Sequence, residues 1–165
     1  MIYILNQKMW TLKDKFAITD DAGRTCFFVD TNWNLLGVRK KFSLFDTAGR
    51  EVYYAQQRIL SFLARFDLYP NSGAVKEERI GFMRRSPTPW PRYRVKTKYG
   101  NYVVKGKFGL ARTLTILKNG KLVATVKKKN FQIRDQYTIE VTEPSESALA
   151  LMIALINDQM HYRGR

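Results

Sequence analysis

The segment Lys15-Phe16-Ala17-Ile18-Thr19-Asp20-Asp21-Ala22-Gly23-Arg24 returns without a gap as Lys41-Phe42-Ser43-Leu44-Phe45-Asp46-Thr47-Ala48-Gly49-Arg50. A repeat constrains a fold strongly, because every copy must solve the same local packing problem and then pack against its neighbours. The same frame continues in weaker form from Arg65 to Gly73, from Arg92 to Gly100 and from Thr113 to Gly120. Seven residues separate the anchoring Phe or Tyr from the glycine in the first four units, and six separate Leu114 from Gly120 in the fifth. Apolar residues alternate on either side of a glycine that can supply the positive φ of a tight reversal, so each unit is expected to be a β-hairpin. Lys118-Asn119-Gly120-Lys121 is the clearest turn, since Asn-Gly suits type I′ geometry.

The anchors Phe16, Phe42, Phe66, Tyr93, Leu114 and Tyr137 stand 26, 24, 27, 21 and 23 residues apart. An opening strand from Ile2 to Lys8, five hairpins and a closing strand from Gln136 to Val141 predict twelve strands within residues 2–142. The last unit then gives way to a helix over residues 145–162. Pro144 suits a first turn, Glu143 and Glu146 favour the positive end of the dipole, and Ala148 to Ile156 form an unbroken apolar run. Nine apolar residues are far fewer than the roughly 20 that span a bilayer. A helix that is apolar all round must then be buried on every side. Meandering hairpins leave two open edges unless the sheet closes, and a barrel of about a dozen strands needs something to fill it. The expected fold is one mainly β domain over residues 1–165, a closed antiparallel barrel around its own C-terminal helix.

The chain carries 29 Lys+Arg against 14 Asp+Glu, a net charge of +15. Residues 1–70 contribute +3, residues 71–134 contribute +15 and residues 135–165 contribute −3. Within the basic stretch Arg92, Arg94, Lys96 and Lys98 alternate with Tyr93, Val95, Thr97 and Tyr99. On a strand this alternation places the cations on one face about 6.6–6.8 Å apart, with the tyrosines turned toward the core. Lys105 and Lys107 repeat the alternation, and Arg84 and Arg85 precede it. Such a stripe serves either as a solvated face or as a collector of phosphates, on anionic lipid head groups or on nucleic acid. Single-stranded nucleic acid also needs aromatics beside the cations for stacking, which inward tyrosines do not provide. Trp90 lies between Pro89 and Pro91 and is flanked by Arg84, Arg85 and Arg92, a combination suited to a rim loop or to an interfacial anchor.

Catalytic signals are few. His161 is the lone histidine and Cys26 the lone cysteine, which precludes an internal disulfide and a zinc site of Cys₄ or Cys₂His₂ type. Neither sits in the context of a nucleophile. His161 suits the end of the helix, and Cys26 the packed strand Thr25 to Val29. Gly106-Lys107-Phe108-Gly109 lacks the spacing of a phosphate loop and suits a bend in a strand. Asp20, Asp21 and Asp46 fall in the turns before Gly23 and Gly49, where short carboxylates cap backbone N–H groups. No enzyme activity, cofactor or metal is expected. One unpaired cysteine and a start without an apolar leader suggest a cytoplasmic protein, at most peripheral at a membrane.

Gln7-Lys8, the run Lys13 to Gly23, its second copy at Lys41 to Gly49, the Lys127-Lys128-Lys129 strand before Tyr137 and the Ala- and Leu-rich final helix together resemble the LURP-one-related (DUF567, YxjI-like) family. The resemblance covers nearly the whole chain and departs from the family pattern between Pro70 and Pro91. That family belongs to the tubby C-terminal-like superfamily, so the resemblance implies a twelve-stranded barrel around a helix. Tubby proteins bind phosphoinositides through basic residues on the barrel, whereas LURP-one-related members generally lack an assigned activity, so the resemblance carries over no binding residue and charge alone selects the candidates. The residues that would meet an anionic ligand are Arg84, Arg85, Arg92, Arg94, Lys96, Lys98, Lys105 and Lys107, with Trp90 as a membrane anchor. Sequence-independent nucleic-acid binding through the same stripe, or a protein-interaction scaffold without a small ligand, are the alternatives.

Overall fold

The computed structural model describes residues 1–6, 15–33, 39–87, 92–107, 113–130 and 135–162, with the backbone alone at 32, 33, 107, 130, 135, 161 and 162. Twelve strands follow one another: β1 Ile2–Asn6, β2 Phe16–Asp20, β3 Thr25–Trp33, β4 Lys40–Asp46, β5 Glu51–Gln57, β6 Arg65–Tyr69, β7 Gly81–Arg85, β8 Arg92–Thr97, β9 Gly100–Lys107, β10 Thr113–Lys118, β11 Lys121–Asn130 and β12 Asp135–Val141. Each pairs antiparallel with its predecessor, and β1 also pairs with β12 through Tyr3 opposite Ile139 and Leu5 opposite Tyr137. The sheet closes and leaves no unpaired edge, as the hairpin count requires. The five repeated units are β2–β3, β4–β5, β6–β7, β8–β9 and β10–β11.

Two turns are near copies of each other, as the repeat demands. Asp20 Oδ1 accepts the N–H groups of Ala22 and Arg24 at 3.0 and 2.9 Å, and its Oδ2 accepts Arg24 Nε at 2.8 Å. Asp46 does the same with Ala48 and Arg50 at 3.0, 2.9 and 2.8 Å. Gly23 and Gly49 both take φ of 79°, the left-handed region that glycine enters without strain. The backbone N–H bonds, first those of Arg24 and Arg50, hold both carboxyls below the usual aspartate range. These aspartates clip the turns, as their place before Gly23 and Gly49 predicts.

Two readings of the sequence need correction. The third unit does not turn tightly at Gly73, which lacks a positive φ; residues 70–80 form a longer excursion with a 3₁₀ turn at Lys76–Glu78. Pro70 cannot donate to a ladder, and side chains take over the backbone bonding, with Glu51 Oε2 accepting Ser72 N–H and hydroxyl and Glu78 Oε2 accepting Val75 N–H. Strand β8 ends at Thr97, so Lys98 and Tyr99 fall in the turn to β9 and leave the alternation. Tyr99 is 48% exposed and does not enter the core, while Tyr93 is buried as expected.

Where β7 meets β8 the sheet tolerates no side chain at one position. A Cβ on Gly81 would lie 2.0 Å from the Lys96 carbonyl oxygen and 2.8 Å from Thr97 Cα. Both obstacles are backbone, so Gly81→Ala is expected to destabilise the protein by about 3 kcal/mol, measured as a shift of the urea midpoint.

Helix α1 spans Ser147–Tyr162, entered through a 3₁₀ turn at Pro144–Glu146. Every residue from Leu149 to Gln159 is buried, with β5, β11 and β12 among its neighbours. Inward-facing Leu5, Ile18, Leu44, Leu68, Met83, Val95, Val104, Ile116 and Ile139 surround it as one core. Polar bonds fix its ends. Glu146 accepts a hydrogen bond from Tyr102 hydroxyl at 2.7 Å and another from Lys118 Nζ, and Tyr137 hydroxyl donates to buried Asp158 at 2.5 Å.

Burial alone would raise the Glu146 carboxyl, but the Lys118 and Tyr102 donors outweigh it and hold the group below the ordinary glutamate range. Its contribution to stability is therefore present above the unfolded value and lost as pH falls through the folded one. Glu146→Gln should cost about 2 kcal/mol at pH 7 and flatten the loss of stability below about pH 4, leaving the part due to Asp20 and Asp46. Denaturant titrations between pH 3 and 7 measure both effects.

Candidate anionic-surface site

The two ends of the barrel differ chemically. One end holds the clipped turns after β2 and β4, the Tyr99 turn and the start of α1, where Asp20, Asp46, Glu51, Glu77, Glu78, Glu143 and Glu146 balance the cations. At the other end β5, β7 and β9 finish and β6, β8 and β10 begin; Arg58, Arg65, Arg84, Arg85, Arg92 and Lys105 lie toward this end, and Asp67 on β6 pairs with Arg58 and Arg65.

Strand register decides which cations meet. Arg84 on β7 stands opposite Arg94 on β8, and Arg92 on β8 stands opposite Lys105 on β9. On the other side of β7, Arg84 also faces Arg65 on β6. Arg84, Arg92, Arg94 and Lys105 are exposed on the outer wall, and none forms an ion pair among the described residues. Like charges directly opposite on a sheet oppose its pairing, so this wall costs the fold some stability.

Of the other residues singled out by sequence, Lys96 lies on the same face farther along β8, opposite Phe82 and Asn101. Arg85 ends β7 at the rim. Lys98 lies in the turn at the opposite end of the barrel with its ammonium 5.2 Å from the Tyr99 ring, so it does not join the cluster. Lys107 closes β9 opposite Thr113, and its side chain lies outside the described residues, as does Trp90. His161 lies in the last turn of α1 without a described side chain. Cys26 is half-buried on β3, where burial pushes its thiol up and the Sγ contacts Arg24 carbonyl oxygen at 3.5 Å.

Sequence reasoning named Arg84 and Arg85 but missed Arg58, Arg65 and Arg79. Asp67 is buried beneath Arg58 at 3.2 Å, Arg65 at 2.9 Å and Arg79 at 3.5 Å. Arg65 also lies 4.0 Å over the Phe82 ring, and Arg84 lies 6.0 Å from the same ring. Beside this cluster a recess of about 170 Å³ is lined by Arg39, Gln56, Gln57, Arg58, Asp67 and Tyr69. The Arg39 Nε there is buried without a hydrogen-bond partner among the described residues. Arg39, Arg58, Arg65 and Arg79 against Asp67 leave this corner net positive, and Arg65 joins it to the wall through its pairing with Arg84. The missed signal was register, since Arg65 belongs to a segment with little net charge and becomes part of the wall only through its pairing with Arg84.

Among the described residues no three His, Cys, Asp or Glu side chains converge as a metal site, and no helix is long and apolar enough to cross a membrane. The molecule is thus a mainly β barrel of twelve antiparallel strands closed around a C-terminal helix, with cations concentrated on one side and at one end. The chain belongs to the LURP-one-related family, whose pattern it matches over residues 1–158. It is similar in fold to the crystal structure of a protein from Arabidopsis thaliana, at 14% identity and a TM-score of 0.58, over 96% of this chain and 91% of that one. No curated protein matches the sequence.

Proposed function

We propose that the protein is a non-catalytic module that docks on anionic lipid surfaces through the outer wall of β7, β8 and β9. The observation that carries this is the pairing of Arg84 with Arg94 and of Arg92 with Lys105, exposed and without carboxylate partners among the described residues. A wall needed only for solubility would interleave charges of both signs, whereas this one keeps like charges side by side. Phosphates of a lipid surface would relieve that repulsion. The wider superfamily's phosphoinositide binding is an analogy in the same direction.

Nucleic acid would seek the same cations, but the wall offers it little to stack on. Tyr93 and Tyr102 are buried inside the barrel, and Phe82 is already covered by Arg65. Sedimentation with vesicles of phosphatidylcholine alone or mixed with phosphatidylserine tests the proposal. Binding to the anionic vesicles only, weakening as salt rises from about 0.05 to 0.5 M, is the expected result. No binding to either at low salt would overturn it. A gel shift of single- or double-stranded probes without vesicle binding would move the assignment to nucleic acid.

A further inference from the structure

The connection from β5 to β6, Arg58-Ile59-Leu60-Ser61-Phe62-Leu63-Ala64, holds its apolar residues in the open. Leu60 is 96% exposed, Phe62 104% and Ile59 46%. Single exposed apolar residues are ordinary, but three within four positions at the tip of one loop are a patch that asks for a partner. The loop is anchored below its tip. Arg58 N–H donates to Arg65 carbonyl oxygen at 2.9 Å, and Arg85 N–H donates to Ala64 carbonyl oxygen at 3.2 Å, joining its base to β6 and to the rim of β7. Arg58, Arg65, Arg84 and Arg85 stand around that base, with Asp67 the carboxylate among them.

We infer that the Ile59–Leu63 loop is a membrane wedge, whose Leu60 and Phe62 enter the boundary between lipid head groups and acyl chains while the surrounding arginines meet the phosphates. The inference rests on the membrane docking proposed above and adds the element that inserts and the orientation of the barrel on the surface. Charge selects a lipid surface as the occupant. A collar of four arginines with one aspartate matches a plane of phosphates just outside an apolar layer, the order in which basic and apolar groups meet a bilayer at its interface. Burying a Leu or Phe side chain is worth about one to two orders of magnitude in a partition coefficient. Two such residues and the collar therefore give a reversible anchor with an apolar part that salt does not remove. In this orientation the Arg84 and Arg94 wall leans on the membrane beside the loop, and the acidic turns at the far end point away from it.

A fluorophore sensitive to polarity, attached to Phe62→Cys in a Cys26→Ser background, reads the insertion directly. On phosphatidylserine-containing vesicles its emission should shift to the blue and be quenched by brominated acyl chains. The same label on Ala48→Cys, in an exposed turn at the far end, should stay in water. Leu60→Ser/Phe62→Ser should lower the vesicle partition coefficient about 100-fold or more while keeping the far-ultraviolet spectrum of the parent. A protein that sediments with anionic vesicles while the label at 62 stays aqueous, or a double variant that binds as well as the parent, would overturn the wedge and leave the docking intact. Absence of vesicle binding by every variant and by the parent would overturn both. A blue shift without vesicles that grows with protein concentration would assign the loop to self-association instead.

Discussion

Leu151→Asp is expected to yield no folded protein, and Ile153→Asp the same. Both side chains have no exposed surface and sit in mid-helix inside a closed sheet, where a carboxylate finds neither water nor a described cation. Burying an isolated charge costs many kcal/mol, and burying it protonated still leaves an unsatisfied polar group. Either cost is comparable with the whole stability of a domain, about 5–15 kcal/mol. Expression in inclusion bodies, or a soluble chain with no cooperative melting transition, is the expected observation. Leu151→Ala gives a graded readout, a loss of about 2–5 kcal/mol in denaturant titration, because the barrel wall is closed and collapses little into the space left behind. A soluble Leu151→Asp protein that melts cooperatively would place the helix at the surface.

Replacing Arg84, Arg92, Arg94 and Lys105 together by alanine is expected to remove vesicle binding without harming the fold. Each cation near an anionic surface contributes about 1 kcal/mol, so four account for about a 1,000-fold change in partition at low salt. The stability change should carry the opposite sign. Removing two like-charge pairs from facing strands relieves repulsion, so the variant is expected to melt at the same temperature as the parent or slightly above it. That combination separates a binding surface from a structural one, since residues kept for the fold weaken it when removed. Unchanged partition onto phosphatidylserine-containing vesicles would show that the wall does not face the lipid.

Much of the architecture was legible before any coordinates. The twin turns were visible because an aspartate three residues before a glycine is a local device, and Asp20 and Asp46 use it with nearly the same distances. Strand number followed from the anchors, since Phe16, Phe42, Phe66 and Tyr93 each open a hairpin with an inward side chain. The buried helix followed from the absence of a polar face between Ala148 and Ile156. The third unit was harder to read, because Pro70 and the carboxylates Glu51 and Glu78 replace a tight turn with side-chain bonds that no short spacing reveals.

The candidate site was legible only in part. Alternation placed Arg92, Arg94 and Lys96 on one face, and they lie on one face. Lys98 was carried along by the same alternation and left the site because β8 stops at Thr97. Arg65 and Arg58 escaped notice, since charge counted along the chain cannot see a neighbour on the next strand.

What the sequence determined by itself is therefore what period and turn chemistry encode over a few residues: twelve strands, their inward faces, their polar turns and a helix with nowhere to go but inside. What the tertiary structure alone decided is which outward residues stand opposite one another. Register across β6, β7, β8 and β9 set Arg65, Arg84, Arg94, Arg92 and Lys105 side by side. Closure left Leu60 and Phe62 uncovered at the arginine-rich end. The physical reason is that alternation and turns act between residues close in the chain, whereas register and burial are settled by the closed sheet as a whole.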